Sequence, residues 1–582
     1  MTAPSSAHAT HRQAARDAWD LVLRSRFDVA PIGLDLLDIE LEVLQEQLFA
    51  ARALRNAHAM ACKLPTEVVT SIFLYTQAVW KPSRQPGLNG ERMTYGAGWM
   101  SVARVCSSWR KVALNTPCLW TNLDCLSFHP DSVMDILSRS KALPLSLTIK
   151  GSAATKKALE GWLCGPVNRR TRRLTIAECT RLQFSGWVEL LDPAMPKLEV
   201  LDINVAVEGD GNFSHRLLPA KFLGRSCPPR LQSLSLYGIL CGWDSPLLSP
   251  RLTRLLMSTP EDPNVLPSDL TNVLAPLVNL ELLALWGIVP PSAGNVPLPV
   301  PRESKPRVLD LRANQSSQAP GIPAFLEQHS AWPASNITIV TRFSRPDDAL
   351  YITATVPLLF SPHENKPLPS ELFLSRGSVS ILYGECWPRR QWKTKPERMN
   401  FFKSSSPGPS TFFRHLDVSY PNDNVLGSIV PLLPRETLEA IYVGHPVKSA
   451  IDGEDAWIRH FSPAKSIRRV AGYYVDLLAL ICALSVQDDG SDGHFTLFPE
   501  LEVIIFHALV PQNKELGANM GSQGSEDGSE AWMQNHVAFL DLLAVRKAYG
   551  KPIKELMVDK AMEGWKIWTM PALLDATSIS FF

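Results

Sequence analysis

A chain of 582 residues is longer than one ordinary core serves, so two or more domains or a repeat array are expected. Hydrophobic residues at 45% and charged residues at 20% give the composition of a soluble folded protein. With 58 Lys plus Arg against 57 Asp plus Glu, the net charge of +1 supplies no general pull toward nucleic acid or anionic membrane, and neither is expected as a partner.

The first stretch, MTAPSSAHATHRQAARDAWD, lacks the apolar run of a signal peptide. Small and polar, residues 1–30 are expected to form a disordered tail. Residues 31–60 then take on a helical period. Leu34, Leu37, Leu41, Leu44, Leu48 and Ala51 fall at alternating three- and four-residue steps, with Glu40, Glu42, Glu46 and Arg52 on the other faces. That seam is shorter than the roughly three to four heptads a coiled coil needs. An amphipathic helix packed on the next domain is therefore the expectation, and a dimeric coiled coil the alternative.

A compact helical segment is expected at residues 62–126. LPTEVVTSIF, from Leu64, sets Pro65 in the first turn of a helix, where its fixed φ and missing N–H are harmless. Val68, Val69, Ile72 and Phe73 line one apolar face of that helix. Downstream, Val102, Val105, Cys106, Trp109, Val112 and Ala113 repeat at helical spacing, opposite Arg104, Arg110 and Lys111. So few residues bury a meagre core, and an apolar face on so small a unit invites a partner. Between the two helices lies a loop rich in Gly and Pro at residues 81–98, which is expected to loop out.

From residue 127 to 582 the chain changes character. The pattern L-x-x-L-x-L recurs as LEVLDI from Leu198, LQSLSL from Leu231, LTRLLM from Leu252 and LELLAL from Leu280. It returns as FRHLDV from Phe413, LEAIYV from Leu438, LEVIIF from Leu501 and IKELMV from Ile553, with weaker members TRRLTI from Thr171 and PRVLDL from Pro306. Starts in the clearer runs lie roughly 20 to 35 residues apart, the leucine-rich-repeat range. Each unit would supply one short strand and stack on its neighbours to bury an apolar face that it cannot bury alone. A conventional βαβ domain is the alternative. Residues 315–410 fit no register, the Pro-rich stretch Gly287 to Pro306 reads as an excursion, and Gln512 to Glu530 reads as a mobile loop.

In Leu64 to Leu126 the residues resemble an F-box motif: L-P-x-E followed by hydrophobics, then V-C-x-x-W, then a terminal L-W. The layout, a heptad-like helix before the motif and a divergent leucine-rich body after it, is similar to large fungal (mushroom-type) F-box families. The resemblance implies a multidomain fold: N-terminal all-α, a helix plus F-box helices, followed by an α/β leucine-rich-repeat-like solenoid with a parallel sheet. It further implies docking to a Skp-type adaptor, and through it to cullin and RING subunits of an SCF ubiquitin ligase, while the repeats hold an unknown target protein. Leu64, Pro65, Val68, Ile72, Val105, Cys106, Trp109, Leu119 and Trp120 are the candidates for the adaptor-facing surface or the F-box core, two duties the sequence does not separate. A leucine-rich interaction scaffold with no ligase role is the rival reading. LPSELF, from Leu368, repeats L-P-x-E without a downstream V-C-x-x-W and reads as a chance echo.

Neither a phosphate loop, a G-x-S-x-G elbow nor an H-E-x-x-H helix occurs, so no enzyme, cofactor or metal is expected. Cys106, Cys118 and Cys125 are too widely spaced for a zinc knuckle. Ten scattered cysteines read as free, inert thiols in the cytoplasm or nucleus, where the sequons at Asn212 and Asn336 stay unmodified. RRTRR (Arg169 to Arg173) and WPRRQWKTKPER (Trp387 to Arg398) read as exposed loops.

Overall fold

The computed structural model describes residues 6–27, 33–86, 93–151, 154–206, 217–259, 267–288, 306–314, 318–328, 336–342, 348–360, 367–375, 377–386, 389, 392–393, 412–419, 425–444, 451, 453–488, 494–508 and 530–582. Contacts divide the chain into two compact units, residues 1–149 with 157–170, and residues 150–156 with 171–582. Residues 127–149 and 157–170 group with the helices. The reason is local packing. Phe128 tilts onto Trp162 with centroids 5.9 Å apart, and the Arg139 guanidinium sits 4.7 Å above the Trp120 ring.

The first unit opens with helix α1 (Ser6–Phe27), where a disordered tail was expected. Alanines at 7, 9, 14, 15 and 18 alternate with straight-chain Arg12, Gln13 and Arg16, all strong helix formers. Gln13 donates to Asp17 one turn on, at 2.9 Å. Helix α2 (Leu34–His58) follows and lies beside α1. Arg26 Nε donates to Glu40 at 3.2 Å, and Trp19 of α1 lines a groove with Leu44, Leu48 and Phe49 of α2. No residue of α2 is buried.

Helix α3 (Thr66–Val79) and helix α4 (Ser107–Asn115) follow, separated by the expected insertion. The insertion ends in a short antiparallel ladder, β1 (Ser83–Gln85) on β2 (Thr94–Gly96). Its base is closed by Trp99 N–H donating to the Trp80 carbonyl at 2.8 Å. Gly98, at φ +53°, makes this possible: a Cβ there would come within 2.5 Å of the Lys81 and Pro82 backbone. Strand β3 (Asn122–Asp124) pairs in parallel with β4 (Leu145–Lys150), and helix α5 (Val133–Arg139) connects them.

The second unit holds a large, mostly parallel sheet. Its strands are β5 (Thr171–Thr180), β6 (Val200–Ala206), β7 (Ser233–Tyr237), β8 (Arg254–Ser258), β9 (Leu282–Trp286), β10 (Val308–Ala313), β11 (Asn336–Arg342), β12 (Pro369–Ser375), β13 (Ser378–Tyr383), β14 (Phe412–Ser419), β15 (Ala440–Val443), β16 (Arg469–Tyr473), β17 (Val503–His507), β18 (Glu555–Val558) and β19 (Ser578–Phe581). Strands β5 to β11 pair in chain order, all parallel. The order then inverts: β11 pairs with β14, β14 with β13 and β13 with β12, the last two contacts antiparallel. From β12 the parallel sequence resumes through β15 to β19. The described parts of 315–410 therefore hold the one inversion seen among these pairings, which is why no repeat register fits there.

Every L-x-x-L-x-L unit carries a strand, and in most of them the three apolar positions are buried on one side of it; Phe413 of FRHLDV instead joins the cluster on the opposite face, and TRRLTI opens on the polar Thr171. Leu198, Leu201 and Ile203 are buried, as are Leu231, Leu234 and Leu236, and likewise Leu501, Ile504 and Phe506. A backbone ladder joins the second positions: Gln232 N–H donates to Glu199 at 2.9 Å, Thr253 to Gln232 at 2.8 Å and Glu281 to Thr253 at 2.7 Å. The same ladder runs through Glu439, Arg468, Glu502 and Lys554. Each return segment thus enters its strand at the same place.

Candidate functional site

The candidate residues of the first unit separate into three groups. Leu119 and Trp120 are core. Trp120 donates its indole N–H to the Ala113 carbonyl at 2.8 Å and lies 5.1 Å from the Trp99 ring, while Gln77 of α3 donates to the Leu119 carbonyl at 2.9 Å. Their burial closes α3 and α4 onto the turn at Pro117–Trp120.

Cys106 and Trp109 form a joint. Cys106 divides this stretch into a 3-10 turn (Gly98–Arg104) and α4, taking an extended conformation at φ −158°. Its sulfur caps α4 by accepting the Trp109 backbone N–H at 3.4 Å and lies 3.5 Å from the sulfur of Cys62. Hydrogen bonding to Cys106, with burial adding to it, raises the Cys62 thiol above its usual range. Trp109 meets Phe73 edge-on at 5.4 Å and donates its indole N–H to the Ala61 carbonyl at 3.2 Å. The tryptophan of V-C-x-x-W therefore ties α4 both to α3 and to the stretch just before it.

Leu64, Pro65, Val68, Ile72 and Val105 face outward. Pro65 sits at the cap just before α3 rather than inside its first turn. On α3 the split is sharp. Val69 and Phe73 are 3% and 0% exposed, whereas Val68 and Ile72 are 44% and 37% exposed. Tyr75 and Val79 extend the open stripe at the i, i+4, i+7, i+11 spacing of one helix face, and both are exposed. The sequence analysis stopped at Phe73, although carrying the same period two turns further reaches them. Val105, which shares helical spacing with Cys106 and Trp109, is exposed where the chain breaks at the next residue.

The remaining candidates resolve differently. Burial pushes the Cys125 thiol well up, and those of Cys179 and Cys241 to about 11 and about 12, which keeps them protonated and unreactive. Among the described residues no group of three His, Cys, Asp or Glu side chains is placed to hold a metal, and no helix is long and apolar enough to cross a membrane. The basic run at Arg169–Arg173 is partly structural. Arg170 donates to the Leu143 carbonyl at 3.0 Å, Thr171 is buried and Arg172 pairs with Glu199 at 2.6 Å. Of Trp387–Arg398, the described residues fold back rather than project: Arg389 pairs with Glu555, and Trp392 lies 4.1 Å beneath the Arg469 guanidinium. LPSELF, the echo, is strand β12 with its glutamate Glu371 buried. Asn336 is built into the sheet, accepting the Phe413 N–H at 3.1 Å. Asn212, residues 289–305 and residues 512–529 lie outside the described residues.

The described helices thus present a stripe of exposed aliphatic and aromatic side chains backed by a buried core of Phe73, Trp99, Leu119 and Trp120. Compared with known families, residues 61–126 match the F-box-like family. No curated protein matches the chain.

Proposed function

We propose that the chain is a non-catalytic substrate receptor of an SCF-type ubiquitin ligase. F-box domains generally bind Skp-type adaptors, and the F-box-like segment at 61–126 supports that role here. The observation that carries it is the divided α3: Val69 and Phe73 complete the fold, so Val68 and Ile72, with Leu64, Pro65, Tyr75 and Val79, remain for a second polypeptide. Covering each such side chain is worth about 1.5–3 kcal/mol, enough for a stable joint. The hairpin at Ser83–Gly96 leaves the chain and returns to it at Trp80 and Trp99, so the insertion does not interrupt α3. In this reading the sheet region is an irregular leucine-rich-repeat-like solenoid that holds a target protein for ubiquitin transfer. The recurrent strands and their second-position ladder support it. Cytoplasm or nucleus, where adaptor and cullin work, is the expected site of action.

Co-purification of the full chain with a Skp-type adaptor tests the reading. Val68→Glu combined with Ile72→Glu should weaken the complex about 100-fold or more while leaving the thermal midpoint of the free chain in place. A folded wild-type chain without adaptor affinity, or a double variant that still binds, removes the receptor assignment and leaves an interaction scaffold.

A further inference from the structure

Helices α1 and α2 enclose no core of their own. Two helices cannot surround one, whereas four can, and helices in water draw most of their stability from a packed apolar face. Along α2, residues Leu34, Asp38, Leu41, Gln45, Leu48, Arg52 and Arg55 follow alternating steps of four and three and so share one face. Leu41 and Leu48 on this face are 57% and 49% exposed. Beside it the α1–α2 groove, about 480 Å³ and lined by Trp19, Leu44, Leu48 and Phe49, stands open.

We propose that this face closes on a second copy of the chain, antiparallel, about a two-fold axis at Gln45. A two-fold contact must complement itself, and the charges of α2 do so in one orientation only. Acidic Asp35, Asp38, Glu42 and Glu46 occupy its first part, and basic Arg52 and Arg55 its last. A parallel pair sets like against like at both ends. The antiparallel pair, reflected through Gln45, sets Asp38 opposite Arg52 of the second copy and Arg52 opposite its Asp38. The same reflection places Leu41 over Phe49 of the second copy, at the mouth of the groove with Trp19 and Leu48. The seam is about 37 Å long at 1.5 Å per residue, and closing it converts two open hairpins into a four-helix bundle. The receptor would then present two F-box-like segments from one assembly.

The same charge order also suits each helix's own dipole, and charge reversal separates the two explanations. Light scattering on the full chain from about 0.1 to about 10 µM should give twice the 64.5 kDa chain mass. Asp38→Arg alone and Arg52→Asp alone should each weaken the dimer about tenfold or more, since each puts like charges together at two symmetric places. The combined Asp38→Arg/Arg52→Asp chain restores opposite charges and should return to within about threefold of wild type. A monomeric wild type overturns the proposal. So do single variants that dimerise normally, and a combined variant weaker than either single one, which is the result the dipole alone requires.

Discussion

The helices before residue 80 and the strands after residue 171 treat apolar side chains in opposite ways. Helix α2 buries no residue, and α3 buries only Val69 and Phe73 while leaving Val68, Ile72, Tyr75 and Val79 open. In the sheet the apolar positions of the L-x-x-L-x-L units are buried. Further along, β15 and β16 are buried at every position. There the opposite face of the sheet is also sealed, by a cluster of Phe373, Tyr442, Ile505 and Met557 with Trp392 and Phe582 packed against it. Hydrophobic burial drives folding, and the described strands spend their apolar residues on it, whereas the helices before residue 80 leave several of theirs uncovered. Their open faces are what a binding module needs and a self-contained domain avoids.

The comparison breaks most readily at the sealed face of the sheet. Arg469 donates to Glu371 at 2.7 Å, with the carboxylate side chain fully buried, and its guanidinium also covers Trp392. Arg469→Met removes the cation paired with this buried carboxylate and should cost about 3–5 kcal/mol in denaturant unfolding. Adding Glu371→Leu should recover most of the loss. A cost under about 1 kcal/mol would show that water reaches this face and that the sheet is less closed than described.

The next effect sharpens the contrast within α3. Phe73→Ala removes a side chain packed on Trp109 and should destabilise the first unit by about 3 kcal/mol. Ile72→Ala, one residue away, should change it by less than about 1 kcal/mol in the free chain. Thermal unfolding of both variants checks this, and equal costs would mean that the outward stripe is not open.

These differences were unevenly legible in the sequence. The hexads were readable because a strand buried on one face must place its apolar residues at fixed positions, and Leu234, Leu255 and Leu283 occupy the same one. Strand β16 escaped notice for a physical reason: its unit, IRRVAG, ends in Gly472, where a Cβ would meet the Val443 carbonyl at 2.9 Å. The inversion at β12 to β14 is a long-range choice of neighbours, and no local pattern encodes it. Local pattern also fails at L-P-x-E, which opens a helix at Leu64 and a strand at Leu368 because the surrounding packing differs. In the candidate site the motif named the right segment but not each residue's duty. Val68 and Val69 are identical side chains, and only the elements that pack against α3 decide which is covered. Helix α1 was missed because polarity was read as disorder when helix propensity was the stronger signal.

The smallest expected effect is on acidity, and it should act on the sheet alone. On β14, burial, helped by the nearby Arg312 charge, holds the His415 imidazole down to about 4, while its ring shares a 2.7 Å hydrogen bond with Ser380. The unfolded chain takes up that proton near pH 6.5 and the folded sheet does not. The sheet should therefore lose stability as pH falls from about 6.5 toward about 4, by about 1–3 kcal/mol in all. Asp202 and Asp310 act in the other direction. Burial raises both carboxyls, so the folded state protonates them first and offsets part of the loss at the acidic end of the window. Hydrogen exchange at pH 7, 5 and 4 resolves the two regions separately. Protection should fall in Phe412–Ser419 and its neighbours Ser378–Tyr383 and Asn336–Arg342, and His415→Phe should flatten the profile. An equal loss in Thr66–Val79 would mean that acid acts on something the two regions share, and the division drawn between them would not extend to pH.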